Sequence, residues 1–469
     1  MAPHPVRAGP PRAVRHRQAG APSPAWPTPA RRLDDNDGVN DLDTFSLLLT
    51  GEGRALLASL REYDPSQELA VATRLRREHD AGLVSAALGQ ARLRQRAVAK
   101  FGAVDAHRMF FTPNGVEQST RASVAAHRAE IFASRGVRGV ADLCCGIGGD
   151  ALALARAGIS VLAVDRDPLT AAVARANAEA LGLGGLIEVR CADVTDIDTS
   201  PYDAVFVDPA RRGGRQGGAA RSASVRGGGR ATGGRIFDPE AYSPPLSWAI
   251  SAALAAPFAA LKIAPGIPHE AIPPQAEAEW ISDGGDVKEA VLWFGTGVRP
   301  GAVRATLLPG AAALSATGPL PAPPVGPVGR YLYEPDGAVI RAHLVAEIVE
   351  RSGGRLIDET IAYVTSDEPY ASPYTSAYEI TDQLPFNMKK LKALLREREV
   401  GVLTVKKRGS AVEPEEVRRK VKPQGPNAAT VFLTRVAGAP TMLIGRPVPR
   451  DQGVSGGAAA GERRFPRSA

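Results

Sequence analysis

The chain passes from an apolar run into a helical one through Asp142-Leu143-Cys144-Cys145-Gly146-Ile147-Gly148-Gly149-Asp150, and this turn constrains the fold more than any other feature. Glycines are required where a backbone swings from strand to helix and must lie against a ligand with no Cβ in the way. Residues 140–143 read as a short buried strand and residues 151–157 as a helix. The alternation continues downstream. Strand patterns at 161–165, 187–191, 204–207 and 258–263 are interleaved with helical patterns at 169–181 and 246–254, and two more strand patterns fall near 291–294 and 305–308. This specifies a mostly parallel sheet with helices on both faces, an α/β architecture. The last two patterns have no clear helix between them, which suggests an antiparallel hairpin at the sheet edge.

Acids recur where these strands end. Asp165 follows Gly146 by 19 residues, Asp193 ends the third strand, and Asp208-Pro209 ends the fourth. Open α/β sheets bind ligands at this carboxyl edge, and an acid at the tip of the second strand can accept both hydrogen bonds of a ribose. Gly146-x-Gly148-x-x-Ala151 formally satisfies a dinucleotide fingerprint, but Asp142 and Asp150 would repel a pyrophosphate. No Gly-Lys-Ser/Thr is present, so the P-loop reading fails. A cofactor carrying an ammonium group would instead favour Asp142. S-adenosylmethionine fits best: its amino-acid end at the Asp142 loop, its ribose at Asp165 and its adenine at Asp193. Cys144, Gly146, Gly148, Gly149 and Arg166 complete the cofactor-binding candidates. Turn and cap duty is the competing account of each residue taken singly.

Residues 139–309, through "DLCCGIGGDALALA" and "VLAVDRDPLTAAVARANAEALG", resemble the class I S-adenosylmethionine-dependent methyltransferases, most of all their trimethylguanosine synthase-like branch. The likeness extends upstream through "GVEQSTRASVAAHRAEIFA". With the C-terminal region, the arrangement is similar to bacterial methyltransferases carrying a THUMP-like domain. The resemblance implies a Rossmann-like sheet of about seven strands, preceded by a helical region and followed by a smaller α+β domain.

In amino-group methyltransferases the fourth strand ends in Asn/Asp/Ser-Pro-Pro-aromatic. Here Asp208 and Pro209 match, whereas Ala210 and Arg211 depart from the pattern. "DPAR" also resembles 5-methyluridine methyltransferases, whose chemistry needs a downstream cysteine. The cysteines here, Cys144, Cys145 and Cys191, all lie upstream. Direct transfer to a nitrogen, with Asp208 and Pro209 as the catalytic pair, is the favoured chemistry. Arg211, Phe237 and Tyr242 are substrate-binding candidates, the aromatics standing in for the missing stacking residue, and Trp248 is better read as core. Residues 211–235 carry seven Arg, nine Gly and no acid, a composition that either contacts single-stranded nucleic acid or is a low-complexity insertion.

The remainder of the chain frames this unit. Residues 1–40 and 448–469 read as disordered tails, 41–135 as helices, 310–330 as an Ala/Pro/Gly linker, and 331–447 as the THUMP-like α+β domain. Residues 388–422 hold twelve Lys/Arg against five Glu, in a chain of net charge +7. Lys406, Lys407 and Arg408, with Arg418, Arg419 and Lys420 on the next helix, are the candidate RNA-backbone contacts; a solvated charged face is the bland alternative. Three cysteines, two of them adjacent, provide neither a disulfide framework nor a four-ligand zinc site, so no metal is expected and a reducing, cytoplasmic setting is favoured. No apolar run is long enough to span a membrane. The favoured function is methyl transfer from S-adenosylmethionine to RNA. A protein or small-molecule acceptor is the alternative within enzymes, and a non-catalytic RNA-binding protein with the same fold is the alternative outside them.

Overall fold

The computed structural model describes residues 36–210, 240 and 242–449, with side chains from residue 42. The Arg/Gly-rich stretch, and with it Arg211 and Phe237, lies outside the described residues.

The N-terminal region is helical: α1 (Asn36–Leu48), α2 (Gly51–Ser59), α3 (Glu68–Leu75), α4 (Ala81–Ala106), α5 (Pro113–Gln118) and α6 (Ala122–Ser134). The first helix begins at Asn36, inside the segment expected to be a tail. Asp and Thr side chains start several of these helices; Asp80, for example, accepts the backbone N–H groups of Gly82 and Leu83 at the start of α4. These helices do not form a separate body. Phe45, Leu48, Phe110 and Phe132 share one apolar cluster with Val140, Val161, Val173 and Phe258 of the sheet unit that follows.

That unit runs β1 (Gly139–Leu143), α7 (Gly149–Arg156), β2 (Ser160–Asp165), α8 (Pro168–Ala180), β3 (Ile187–Cys191), β4 (Ala204–Val207), α9 (Leu246–Ala255), β5 (Phe258–Ile263), β6 (Glu277–Asp283), β7 (Asp286–Gly295), β8 (Ala302–Leu308) and β9 (Ala312–Thr317). The strands form one sheet of nine, in the order β3-β2-β1-β4-β5-β7-β6-β8-β9. β1 to β5 are parallel, and β7 enters antiparallel between β5 and β6. The order reverses at β1, which places the glycine turn at the switch point where such sheets open a crevice.

Three sequence expectations change here. Among the described residues the sheet has nine strands rather than seven, because β6 enters beside β7 and β9 is added at the edge. The last two strand patterns, β7 and β8, do not pair with each other: β6–β7 form an antiparallel hairpin inside the sheet, β8 runs parallel to β6, and the antiparallel hairpin at the edge is β8–β9. Glu277 and Glu279 hide β6 in the sequence, yet both are buried and paired: Glu279 with His127, Trp293, Arg304 and Thr306, and Glu277 with Arg299. Finally, the stretch expected as a linker is ordered. Its first part is β9, and its proline-rich part lies along a later strand, with Gly326 donating to the Leu356 carbonyl and Leu356 to that of Pro324.

The C-terminal unit comprises β10 (Tyr331–Pro335), α10 (Gly337–Arg341), α11 (Val345–Ser352), β11 (Arg355–Asp358), β12 (Ile361–Ser366), β13 (Thr375–Pro385), α12 (Met388–Glu397), β14 (Val400–Lys407), α13 (Pro414–Val421), β15 (Asn427–Val436) and β16 (Ala439–Pro447). Its strands form a sheet in the order β11-β12-β10-β13-β16-β15-β14, antiparallel except for β14 and β15. Leu391 and Leu395 of α12 and Val417 and Val421 of α13 seal one patch of it. The unit is joined to the first sheet through a common core: Tyr333, Val339, Leu344 and Ile348 pack in one cluster with Trp280, Leu292, Phe294 and Ala305. No described helix is long and apolar enough to cross a membrane.

Candidate active site

The glycine turn leaves β1 in left-handed backbone conformations, with φ of 65° at Cys144, 57° at Gly146 and 87° at Gly148. A Cβ added at Gly146 would meet no atom within 4 Å, so this backbone borders open space. Its N–H donates to Oδ2 of Asp165 at 3.0 Å, and the N–H of Asp167 donates to Oδ1 at 3.0 Å. Asp165 therefore braces the turn from the tip of β2 while lining the cleft, and burial raises its pKa.

Asp142 is fully buried, and neither of its carboxylate oxygens has a hydrogen-bond partner among the described residues. Burial, then the neighbouring carboxylates of Asp150 and Asp208, push its pKa well up. A buried acid with no partner is costly unless a cation or a set of N–H donors completes it. With it, three further buried or half-buried acids, Asp150, Asp208 and Glu289, face two buried cations, Arg128 and Lys262. This donor set fits S-adenosylmethionine, which carries an ammonium and a sulfonium against one carboxylate.

The cleft over this edge has a volume of about 1710 Å³. Cys144, Gly146, Gly149, Asp165, Arg166, Asp208, Pro209 and Tyr242 line it, so most of the expected site residues meet in one place. Tyr242 is held there because Ala210 and Ser243 exchange backbone hydrogen bonds at 2.9 and 3.1 Å. Asp142 and Gly148 are buried and not part of that lining, and Asp193 does not join it either. It is exposed, and its Oδ1 accepts from the backbone and the hydroxyl of Thr195, capping a short turn after β3.

Several residues of the site are not visible in the motif. Lys262 on β5 donates to Asp208 Oδ2 at 2.7 Å and to Thr120 Oγ1 at 2.9 Å, and lies 4.0 Å from Glu289. Arg128 of α6 donates to Asp150 at 2.9 Å, pairs with Glu289 at 2.7 Å, and stacks 4.5 Å from the Phe206 ring. Burial opposes the charge on both cations, but the acids around each outweigh it and raise both pKa values. The one legible signal for Lys262 was a lone charge inside "FAALKI". The helical region also supplies a wall of the cleft, Thr112 to Arg121, and α10 supplies Gly337 and Arg341.

The basic residues expected to touch RNA lie outside the cleft lining and are largely engaged within the C-terminal unit. Lys406 pairs with Glu334 and sits over the Tyr378 ring, Lys407 pairs with Glu413, and Arg408 packs 5.0 Å from the Tyr363 ring while donating to the Ala362 carbonyl. Arg418 and Lys420 pair with Glu415 and Glu416. In contrast, Lys389, Lys390, Lys392, Arg396, Arg419 and Lys422 are exposed on or just after α12 and α13 and form no ion pair among the described residues.

Comparison with known proteins bears on the fold and the family. A methyltransferase domain model matches residues 140–210, a THUMP domain-like model matches 375–447, and a model of a domain of unknown function matches 41–97. A crystal structure of a protein from Porphyromonas gingivalis W83, assigned as a methyltransferase, superposes with a TM-score of 0.63 at 20% identity, covering 82% of this chain and 100% of its own. An uncharacterized S-adenosylmethionine-dependent methyltransferase of Mycobacterium tuberculosis, present in strains CDC 1551 and H37Rv, is 32% identical over 356 residues, covering 73% of this chain and 90% of the relative. With the relative matched over nearly its whole length, the chain belongs to the family of S-adenosylmethionine-dependent methyltransferases.

Proposed function

We propose that this methyltransferase acts on a base nitrogen of RNA, with Asp208 and Pro209 facing the acceptor. The observation that carries the reading is the pairing of a cofactor-type carboxyl edge with a THUMP domain-like segment that exposes, on or just after two helices, six cations with no ion pair among the described residues. Exposed Lys and Arg outside such pairs can neutralise phosphates and release counterions. They position a backbone without reading its sequence, which leaves the choice of base to the cleft.

S-adenosylmethionine, when bound, supplies a methyl carbon activated by a sulfonium. The residues of this chain do the rest. Asp142 would hold the ammonium, Asp165 the ribose hydroxyls, and the Gly146 turn would lie against the amino-acid end. Asp208 would accept an N–H of the incoming amino group and so aim the nitrogen lone pair into the cleft. Tyr242, buried beside Ala210, offers a ring edge or face to the base. Transfer of this kind gains chiefly from alignment.

Comparative mass spectrometry of nucleosides from cells with and without the protein tests the proposal. One methylated base should disappear with the protein and return with the wild-type gene but not with an Asp208→Ala gene. An unchanged nucleoside profile, with methyl label entering protein or small molecules instead, would overturn the RNA assignment.

A further inference from the structure

We propose that Lys262 is the positioning residue for the acceptor site: its ammonium holds one oxygen of Asp208 and leaves the other free to receive the acceptor N–H. The inference rests on the reading of Asp208 as the acceptor-facing group.

In this chain the fourth strand ends Asp208-Pro209-Ala210, without the second proline that would stiffen the segment. Asp208 is partly exposed, and an unrestrained carboxylate there would have to be ordered at each encounter with an acceptor. The structure supplies the restraint from the adjoining strand. β5 pairs with β4 in the register Val207↔Leu261, so the residues one step further on, Asp208 and Lys262, emerge side by side at the carboxyl edge. Lys262 has its own side chain only 5% exposed, and its ammonium meets Asp208, Thr120 and Glu289. An ammonium has three donors. Asp208 and Thr120 take two of them and Glu289 lies 4.0 Å away, so although Lys262 reaches the cleft wall its ammonium is held against Asp208. Asp208 Oδ2 is the oxygen engaged, and Oδ1 has no partner among the described residues.

The clamp is anchored at both ends. Thr120 comes from the helical region just before α6, and Glu289 comes from β7. Glu289 in turn meets Arg128, which holds Asp150 in the first turn of α7. One chain of charges thus connects the acceptor-facing carboxylate to the helix that opens from the glycine turn. A fixed geometry between the two halves of the site follows from that connection without any direct contact between them.

The test uses the full chain, tritium-labelled S-adenosylmethionine and total RNA from cells lacking the protein. Lys262→Met should lower turnover at saturating RNA by about 100-fold, the scale of misplacing a reacting group by about an ångström. Calorimetric affinity for S-adenosylmethionine should stay within about threefold of wild type, and the apparent KM for RNA should change far less than kcat. Lys262→Arg should recover most of the turnover, because it restores a cation within reach of Asp208. Combining Lys262→Met with Asp208→Asn should be no slower than Asp208→Asn alone. Thr120→Val, which trims one anchor and leaves the charges in place, should give a smaller loss of the same kind if Lys262→Met fails to fold. Turnover of folded Lys262→Met within threefold of wild type, or a double variant slower by the full product of the single losses, would overturn the inference. If the wild type labels no RNA, the RNA reading fails by itself; the same variants assayed on the nuclease-treated lysate pool that is labelled then decide the role of Lys262.

Discussion

Gly146 donates its backbone N–H to Asp165, so the residue expected to hold the ribose also holds the turn that shapes the rest of the cofactor site. Asp165→Ala should therefore weaken S-adenosylmethionine binding at least tenfold, since charge-assisted hydrogen bonds are worth about 1.5–3 kcal/mol each. Asp165→Asn, which keeps an acceptor for the turn, should lose less. Calorimetry on folded variants checks this, and equal affinities for wild type and Asp165→Ala would remove the assignment.

Asp208→Ala should abolish methyl transfer while changing cofactor affinity little, because its contact is made with the acceptor. It should also lower stability, since Lys262 is left buried with a partner missing, a change that costs about 3–5 kcal/mol in comparable sites. Thermal melting and turnover, measured together, separate the two effects: Asp208→Asn should melt closer to wild type yet remain slow.

Cutting the chain after residue 330 should give an insoluble or molten product rather than a working catalytic unit. Tyr333, Val339, Leu344 and Ile348 would leave the face of Trp280, Leu292 and Phe294 uncovered, an apolar area that a folded domain does not expose. Expression of residues 36–330 followed by a dye-binding and near-ultraviolet dichroism test would show this; a soluble, cooperatively melting fragment would contradict it.

Replacing Lys389, Lys390, Lys392, Arg396, Arg419 and Lys422 by alanine should weaken many RNAs alike and flatten the salt dependence of binding, by about 0.7–0.9 in log–log slope for each phosphate no longer neutralised. Lys406→Ala should instead act mainly on stability, because it takes from Glu334 the nearer of its two cations and leaves only Arg408, 3.8 Å away. Filter binding across salt, set beside melting curves, distinguishes these outcomes.

Glu279 titrates at about 2: burial works to raise its pKa, but hydrogen bonding by His127, the charge of Arg304 and the Thr306 hydroxyl outweigh it. A carboxylate with a depressed folded-state pKa stabilises the fold above its unfolded value, near 4.5, and loses that contribution as pH falls toward 2. The contribution is about 3 kcal/mol at neutral pH, by the free energy of one pKa unit. Denaturant titrations between pH 5 and pH 2, pH values drawn from about that window, should show stability falling in wild type and a shallower fall in Glu279→Gln.

The sequence determined what local patterning can determine. The glycine turn, the strand–helix alternation and the acids at 142, 165 and 208 were legible because each depends on residues near in the chain: φ freedom, period and strand ends. The same logic put Asp193 at a strand end, but it did not show that this acid also caps a turn, with its Oδ1 accepting from Thr195. The tertiary structure decided everything that depends on pairing across long separations. It buried Glu277 and Glu279 in β6 by bringing up Arg299, Arg304 and His127, and it set Lys262 against Asp208, 54 residues away. It also divided the basic residues of the C-terminal unit into those with and those without an ion pair among the described residues. A charge carries no sign in the sequence of whether its counterion is near, and burial of an ion is tolerated only when the fold delivers that partner.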